Sequence, residues 1–238
     1  MENEMGKNML NIIVSNKKWH KNYINEIETQ TNATIIYIDN ELLLTYENLK
    51  KYSPKYVFFP HWSNIISEEI YKNFECVIFH MTDLPFGRGG SPLQNLIARG
   101  IYETKLAALR CEKELDAGDI YLKMPLSLQG AAEEIYLRAA DLTKDMMIEI
   151  INKNLQPKKQ EGEVVTFERR KPEDGDIGNL QDLQKIFDYI RMLDADSYPR
   201  AFLSTENLHL EFERATLKHG YIKADVKIAL RIGNNEKK

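Results

Sequence analysis

The residues with the most chemical reach lie in three short stretches: "PHWSN" (60–64), "HMTDLPFGRGG" (80–90) and "KELDAGDI" (113–120). His80 ends an apolar run, and a proline- and glycine-rich segment holding Arg88 follows at once. A histidine at a strand end is either satisfied by backbone or works as a general base or oxyanion stabiliser. Asp116 stands in Asp-Ala-Gly, which is good turn chemistry. A carboxylate held against His80 would also orient the ring and favour its charged form. No Ser or Cys sits in a nucleophile motif, so the pair points to direct transfer and not to a covalent intermediate. Arg88 among Gly87, Gly89 and Gly90 is either an exposed loop or an anion grip, because glycines let backbone N–H groups approach a phosphate. The spacing is neither a dinucleotide fingerprint nor a P-loop. Trp62 either packs in the core or covers an aromatic ligand.

The elements that must position these residues follow from hydrophobic periodicity. "MLNIIVS" (9–15), "ATIIYI" (33–38), "KYVFFP" (55–60) and "CVIFH" (76–80) are short apolar runs rich in β-branched and aromatic residues, hence buried strands. Helical segments at 18–30, 41–52 and 64–74 separate them. That alternation implies βαβ units and a parallel sheet covered on both faces. All three stretches but the last follow a strand's carboxyl end, where ligands gather in open α/β sheets. After residue 91 the spacing predicts a helix over 91–100, longer strands over 102–115 and 119–128, and a helix over 131–152. A polar connector, "LQPKKQEGE" (155–163), precedes an amphipathic helix over 182–194 and two strands, 208–217 and 221–230. The expected organisation is a main α/β domain at 8–155, Rossmann-like with a mixed, mainly parallel sheet, and a small C-terminal α+β region at 156–238.

Composition narrows the function classes. The chain has 238 residues, 43% of them apolar, and a formal net charge of −4. That balance weighs against a large nucleic-acid footprint, as do 15 Lys and Arg against 15 Asp and Glu from Leu155 onward. The run Arg169-Arg170-Lys171 reads as a solvated face. The opening "MENEMGKNML" has no apolar core of a signal peptide, and no run reaches the length of a spanning helix. Cys76 and Cys111 have no metal-ligand spacing and read as reduced structural thiols. The expectation is a cytoplasmic protein with no membrane contact and no metal.

Three pieces, "HMTDLP" (80–85), "RGGSP" (88–92) and "LDAG" (115–118), resemble in order and approximate spacing the folate-dependent formyltransferase family. The likeness covers roughly residues 8–155, and more loosely "RKPEDGDI" and "FDYIRMLDADSYPRAFL". It implies a 10-formyltetrahydrofolate-dependent N-formyltransferase with His80 as catalytic histidine and Asp116 as its carboxylate partner. It implies a cofactor site at Trp62, Ser63, Asn64, Ile65, Ile66, Leu115 and Asp116. The acceptor would lie against Met81, Thr82, Arg88, Gly89, Gly90 and Ser91. The sequence departs from the family pattern at Ile78, where an asparagine normally donates to the developing oxyanion. Asn64 or protonated His80 could substitute, or catalysis could be lost.

The loop "FGRGGSPLQNLI" (86–97) resembles bacterial enzymes that formylate a nucleotide-linked amino sugar, including those of pseudaminic-acid-type pathways. The acceptor expected is therefore a UDP-linked 4-amino-4,6-dideoxy sugar, with no nucleic acid as partner. The alternatives are a carrier-protein-bound amino acid, methionyl-tRNA, or a non-catalytic folate- or nucleotide-sugar-binding homologue. The apolar face of Ile186, Phe187 and Ile190 would either pack on the main domain or form a homodimer contact.

Overall fold

The computed structural model describes residues 9–196 and 198–231, so the opening "MENEMGKN" and the closing "NNEKK" lie outside the described residues. In chain order the elements are β1 (Leu10–Val14), α1 (Lys18–Lys21), α2 (Ile24–Thr31), β2 (Thr34–Ile38), α3 (Tyr46–Tyr52), β3 (Val57–Phe59), α4 (Glu68–Asn73) and β4 (Cys76–His80). Then come β5 (Phe86–Gly89), α5 (Pro92–Ala98), β6 (Glu103–Arg110), β7 (Ile120–Ser127), α6 (Ala132–Lys153) and β8 (Val165–Phe167). The chain ends with α7 (Leu183–Met192), β9 (Ala201–Ser204), β10 (Leu208–Lys218) and β11 (Tyr221–Leu230).

The chain forms two compact units. Of the described residues, the first takes those up to Gly89, Thr104–Leu126 and Leu137–Thr166; the second takes Gly90–Glu103, Ser127–Tyr136 and those from Phe167 on. The first unit is built on a six-stranded sheet in the order β2-β1-β3-β4-β6-β7. β2, β1, β3 and β4 run parallel, whereas β6 pairs antiparallel to β4, with Ile78 opposite Leu109 and His80 opposite Ala107. The sheet is thus mixed and mainly parallel, as the apolar runs predict. Ile12, Val14, Leu49, Val57, Phe59, Ile70 and Cys76 form one buried cluster beneath its central strands. Burying such side chains contributes about 1.5–3 kcal/mol each.

The second unit carries the three-stranded antiparallel sheet β11-β10-β9, against which α7 packs through β10. β10 and β11 form the hairpin expected at His219-Gly220, and Gly220 supplies the positive φ of +80° that the turn needs. Asp182 caps α7 by accepting from the Lys185 N–H at 2.8 Å. Inside this unit Arg191 is buried, donating from Nε to Asp188 at 2.6 Å and from Nη1 to the carbonyls of Leu128 and Gly130.

Three local expectations change. The helix at 18–30 is two helices separated by a turn at 22–23, and buried His20, 2.8 Å from the Ser15 hydroxyl, anchors α1 to the end of β1. The helix at 41–52 opens with a separate 3-10 turn at Glu41–Leu43. The glycine-rich segment after His80 is not a bare loop: residues 86–89 form β5, paired with β8. Among the described residues, no helix is long and apolar enough to cross a membrane.

Candidate functional site

His80 closes β4, and the parallel order brings the carboxyl end of β3, with "PHWSN" after it, beside it in the first unit. The ring is buried, at 7% exposure. Its Nε2 lies 2.7 Å from the Gly87 carbonyl, which also accepts from the Thr82 hydroxyl at 3.3 Å. A carbonyl can only accept, so Nε2 carries the hydrogen. That leaves Nδ1 facing the carboxylate of Asp116, 3.5 Å from Oδ2. One ring nitrogen is therefore satisfied by backbone, and the other is aimed at an acid. Gly87 takes φ +79°, a conformation that L residues rarely adopt, to present its carbonyl in this way.

Asp116 reaches the ring from the turn between β6 and β7. It has φ +54°, an uncommon value for a residue with a side chain. Its Oδ2 also accepts from the Gly89 N–H at 2.9 Å. The turn is tight because Gly118 passes against β6: a Cβ there would lie 2.0 Å from the Arg110 carbonyl oxygen. Arg88, between Gly87 and Gly89, is largely buried and its guanidinium donates from Nε and Nη2 to Gln160 Oε1 at 3.1 and 2.9 Å. Exposed Glu114 stands 3.7 Å from Nη1.

The other sequence-selected residues are placed as follows. Met81 and Thr82 are buried beside His80, and Gly89 ends β5. Gly90 and Ser91 belong to the second unit, where Ser91 Oγ accepts from the Arg170 N–H at 3.1 Å and the Gly90 carbonyl from Asn95 at 2.9 Å. Trp62 packs on Phe59 and the central cluster, with its Nε1–H buried and without a partner among the described residues. Ser63 and Asn64 are exposed, Ile65 is 96% exposed, and Ile66 is buried. Leu115, beside Asp116, is 67% exposed. The amide of Asn64 donates to Glu41 at 2.7 Å, so this candidate for the missing donor is engaged there. Ile78 packs against Leu84, Ala107 and Leu109. A shallow cavity of about 380 Å³ opens at Asp83, Pro85, Lys123 and Glu163, but neither His80 nor Asp116 lines it.

Gln160 is the site residue that sequence reasoning missed. It sits in the polar connector "KKQEG", where composition reads only as solvent-facing chain. Nothing in its type or spacing separates it from its neighbours. Its role depends on a backbone bridge between Lys158 and Ile120, at 2.7 and 2.9 Å, which carries the connector over the Asp116 turn.

Neither cysteine is poised to react. Burial pushes the Cys111 thiol up to about 11 and the Cys76 thiol further, so neither is a nucleophile at neutral pH. Among the described residues, no group of three or more His, Cys, Asp or Glu side chains is placed to hold a metal ion.

Comparison with known proteins bears on this geometry. Residues 172–229 match the family described as methionyl-tRNA formyltransferase, C-terminal domain. The methionyl-tRNA formyltransferase of Rickettsia massiliae is 30% identical over 159 residues, 65% of this chain and 51% of that protein. The chain spans about half the length of the curated relatives it matches. A solved structure of a methionyl-tRNA formyltransferase from Clostridium thermocellum is 49% identical, with a TM-score of 0.90, covering 94% of this chain and 100% of that one. A sugar N-formyltransferase from Shewanella is 17% identical, with a TM-score of 0.65 over 83% of this chain and 93% of that one, which is a likeness of fold alone.

These findings overturn two expectations. The relatives with substantial identity are named for methionyl-tRNA, so the UDP-linked amino sugar, and with it the pseudaminic-acid-type reading, is corrected. The expectation of no nucleic-acid partner falls with it. Both errors have a physical origin. The acceptor was read from the 86–97 loop, but Arg88 is held by Gln160 and the glycines serve the backbone conformation of β5. The charge argument used a sum, whereas phosphate contacts depend on where cations stand. With the Clostridium thermocellum chain matched along its whole length at 49% identity, this protein belongs to the formyltransferase family that includes the methionyl-tRNA formyltransferases.

Proposed function

We propose that the protein is an N-formyltransferase that moves a formyl group from 10-formyltetrahydrofolate to the amine of methionyl-tRNA. The observation that carries the reading is the His80–Asp116 pair: a buried imidazole, tethered through Nε2, with Nδ1 turned to a carboxylate at 3.5 Å. The donor supplies an activated formyl carbon. His80 Nδ1 takes the proton from the attacking amine, Asp116 holds the resulting imidazolium in place, and that proton passes to N10 of the folate as the bond between N10 and the formyl carbon breaks, releasing tetrahydrofolate. With Ile78 in place of an amide, the positive charge of protonated His80 is what this strand end offers against the charge developing on the formyl oxygen. The residues present suit a folate: Ile65 and Leu115 expose apolar surface for a flat ring to cover, and the Trp62 Nε1–H is an unspent donor.

The test is formyl transfer by the purified chain from 10-formyltetrahydrofolate to methionyl-tRNA, read as formylmethionine by mass spectrometry. Formylation by wild type, lost in folded His80→Ala and absent with UDP-linked amino sugars, is the expected outcome. Wild-type turnover by His80→Ala, or no transfer to methionyl-tRNA by the folded wild-type chain, sinks the reading.

A further inference from the structure

One side-chain amide ties together the two segments that hold His80 and Asp116. Gln160 Nε2 donates to the carbonyl of Asp116 at 2.7 Å and to that of Gly118 at 2.9 Å. Its Oε1 accepts from Arg88 Nε at 3.1 Å and Nη2 at 2.9 Å. Both amide hydrogens and both oxygen lone pairs are therefore in use. The partners fix the amide's orientation, because a flip would set NH₂ against a guanidinium and oxygen against two carbonyls.

The bonds close a ring. His80 holds the Gly87 carbonyl, the Gly89 N–H holds the Asp116 carboxylate, and Gln160 holds the Asp116 backbone to Arg88, which lies between those two glycines. Asp116 needs such a tie. Its positive φ of +54° is one that a residue with a side chain rarely adopts, and it persists only where the surroundings hold it. If the turn relaxes, its carboxylate leaves Nδ1, although nothing at His80 itself has changed.

We propose that Gln160 is a positioning residue for formyl transfer, locking Asp116 in register with His80 Nδ1. This rests on the catalytic reading of that pair. The residue type follows from the bonds. Glutamate keeps the acceptor for Arg88 but loses both donated bonds and sets negative charge against two carbonyls. Alanine loses both sides.

Gln160→Glu is the discriminating variant, because it preserves volume and the contact with Arg88. Steady-state kinetics with methionyl-tRNA and 10-formyltetrahydrofolate should show kcat lowered about ten- to a hundredfold, with each KM within about threefold, as for a catalytic group displaced by about 1 Å. The ¹⁵N resonance of His80 Nδ1 should move in both Gln160→Glu and Gln160→Ala, although Gln160 does not touch His80. A folded Gln160→Glu protein with wild-type kcat, or a loss confined to KM, overturns the proposal. So does a His80 Nδ1 resonance unmoved in both variants. Wild-type turnover by His80→Ala removes the catalytic reading instead, and the resonance comparison then decides by itself whether Gln160 positions Asp116.

Discussion

His80 and Asp116 face each other with the ring tethered from its far side, so the identity of the working nitrogen is fixed before any substrate arrives. Nε2–H is committed to the Gly87 carbonyl at 2.7 Å, and Nδ1 is left 3.5 Å from the Asp116 carboxylate. Asp116→Asn separates charge from shape. One atom, Oδ2, both accepts from the Gly89 N–H and faces Nδ1, so an asparagine oxygen in that place keeps the Gly89 bond but brings no negative charge to an imidazolium. A fall in single-turnover rate of about 10²–10⁴ is expected, with the fold intact. A rate within a few-fold of wild type would show that the charge on Asp116 is not needed.

Ile78→Asn restores the amide of the family pattern in a place built for hydrocarbon. Ile78 packs on Leu84, Ala107 and Leu109, none of which offers a side-chain partner. Ile78 is only partly buried, so an unpaired amide there should cost about 1 kcal/mol. Urea denaturation reads this directly, and an unchanged midpoint would mean that the amide finds a partner or water.

Acid should weaken the first unit through His20. Burial first, then repulsion from His61 and Lys17, pushes its pKa from 6.5 down to about 3. Between those values the unfolded chain binds a proton that the folded chain refuses. The stabilising contribution is therefore whole above pH 6.5 and is lost as pH falls, by up to about 1.4 kcal/mol per pH unit from this one group. His61, pushed down to about 4 chiefly by burial, adds to the same slope. Unfolding free energies at pH 7, 6 and 5 should fall less steeply in His20→Gln, which can keep the bond to Ser15. Parallel slopes in the two proteins would exclude His20 as the source.

In the second unit, Arg191→Leu should cost about 3–5 kcal/mol, because it strands a buried Asp188 carboxylate and two carbonyls. The double variant Arg191→Leu/Asp188→Leu should recover part of that loss. Thermal denaturation of the two variants checks the order, and equal melting temperatures would refute it.

How far the sequence could be read depended on the range of the interactions. β1, β2, β3 and β4 were legible because each is a continuous apolar run, and α6 because its apolar positions keep one face over 22 residues. His80 and Asp116 stood out through residue type, position at a strand end or turn, and family resemblance. What failed to show was whatever depends on a partner distant in sequence. β5 is four residues of Phe-Gly-Arg-Gly and becomes a strand only against β8. Gln160 acquires its role only when the connector crosses the Asp116 turn. The bond from buried His20 to Ser15, which anchors α1 to the end of β1, is likewise encoded by no periodicity. The acceptor was misread for a related reason: Arg88 looked free in the sequence and is engaged in the fold.

The ring around His80 also has an order in time. Its bonds join Arg88 to Gln160, 72 residues apart, and Asp116 to Gln160, 44 apart, so its closure carries the loop entropy of long chain separations. During synthesis, a nascent chain can complete β1 to β4 and hold His80 at its strand end while the segment that locks Asp116 is still untranslated. The ring closes only after residue 160 has left the ribosome, which makes its assembly a late event in the birth of the molecule.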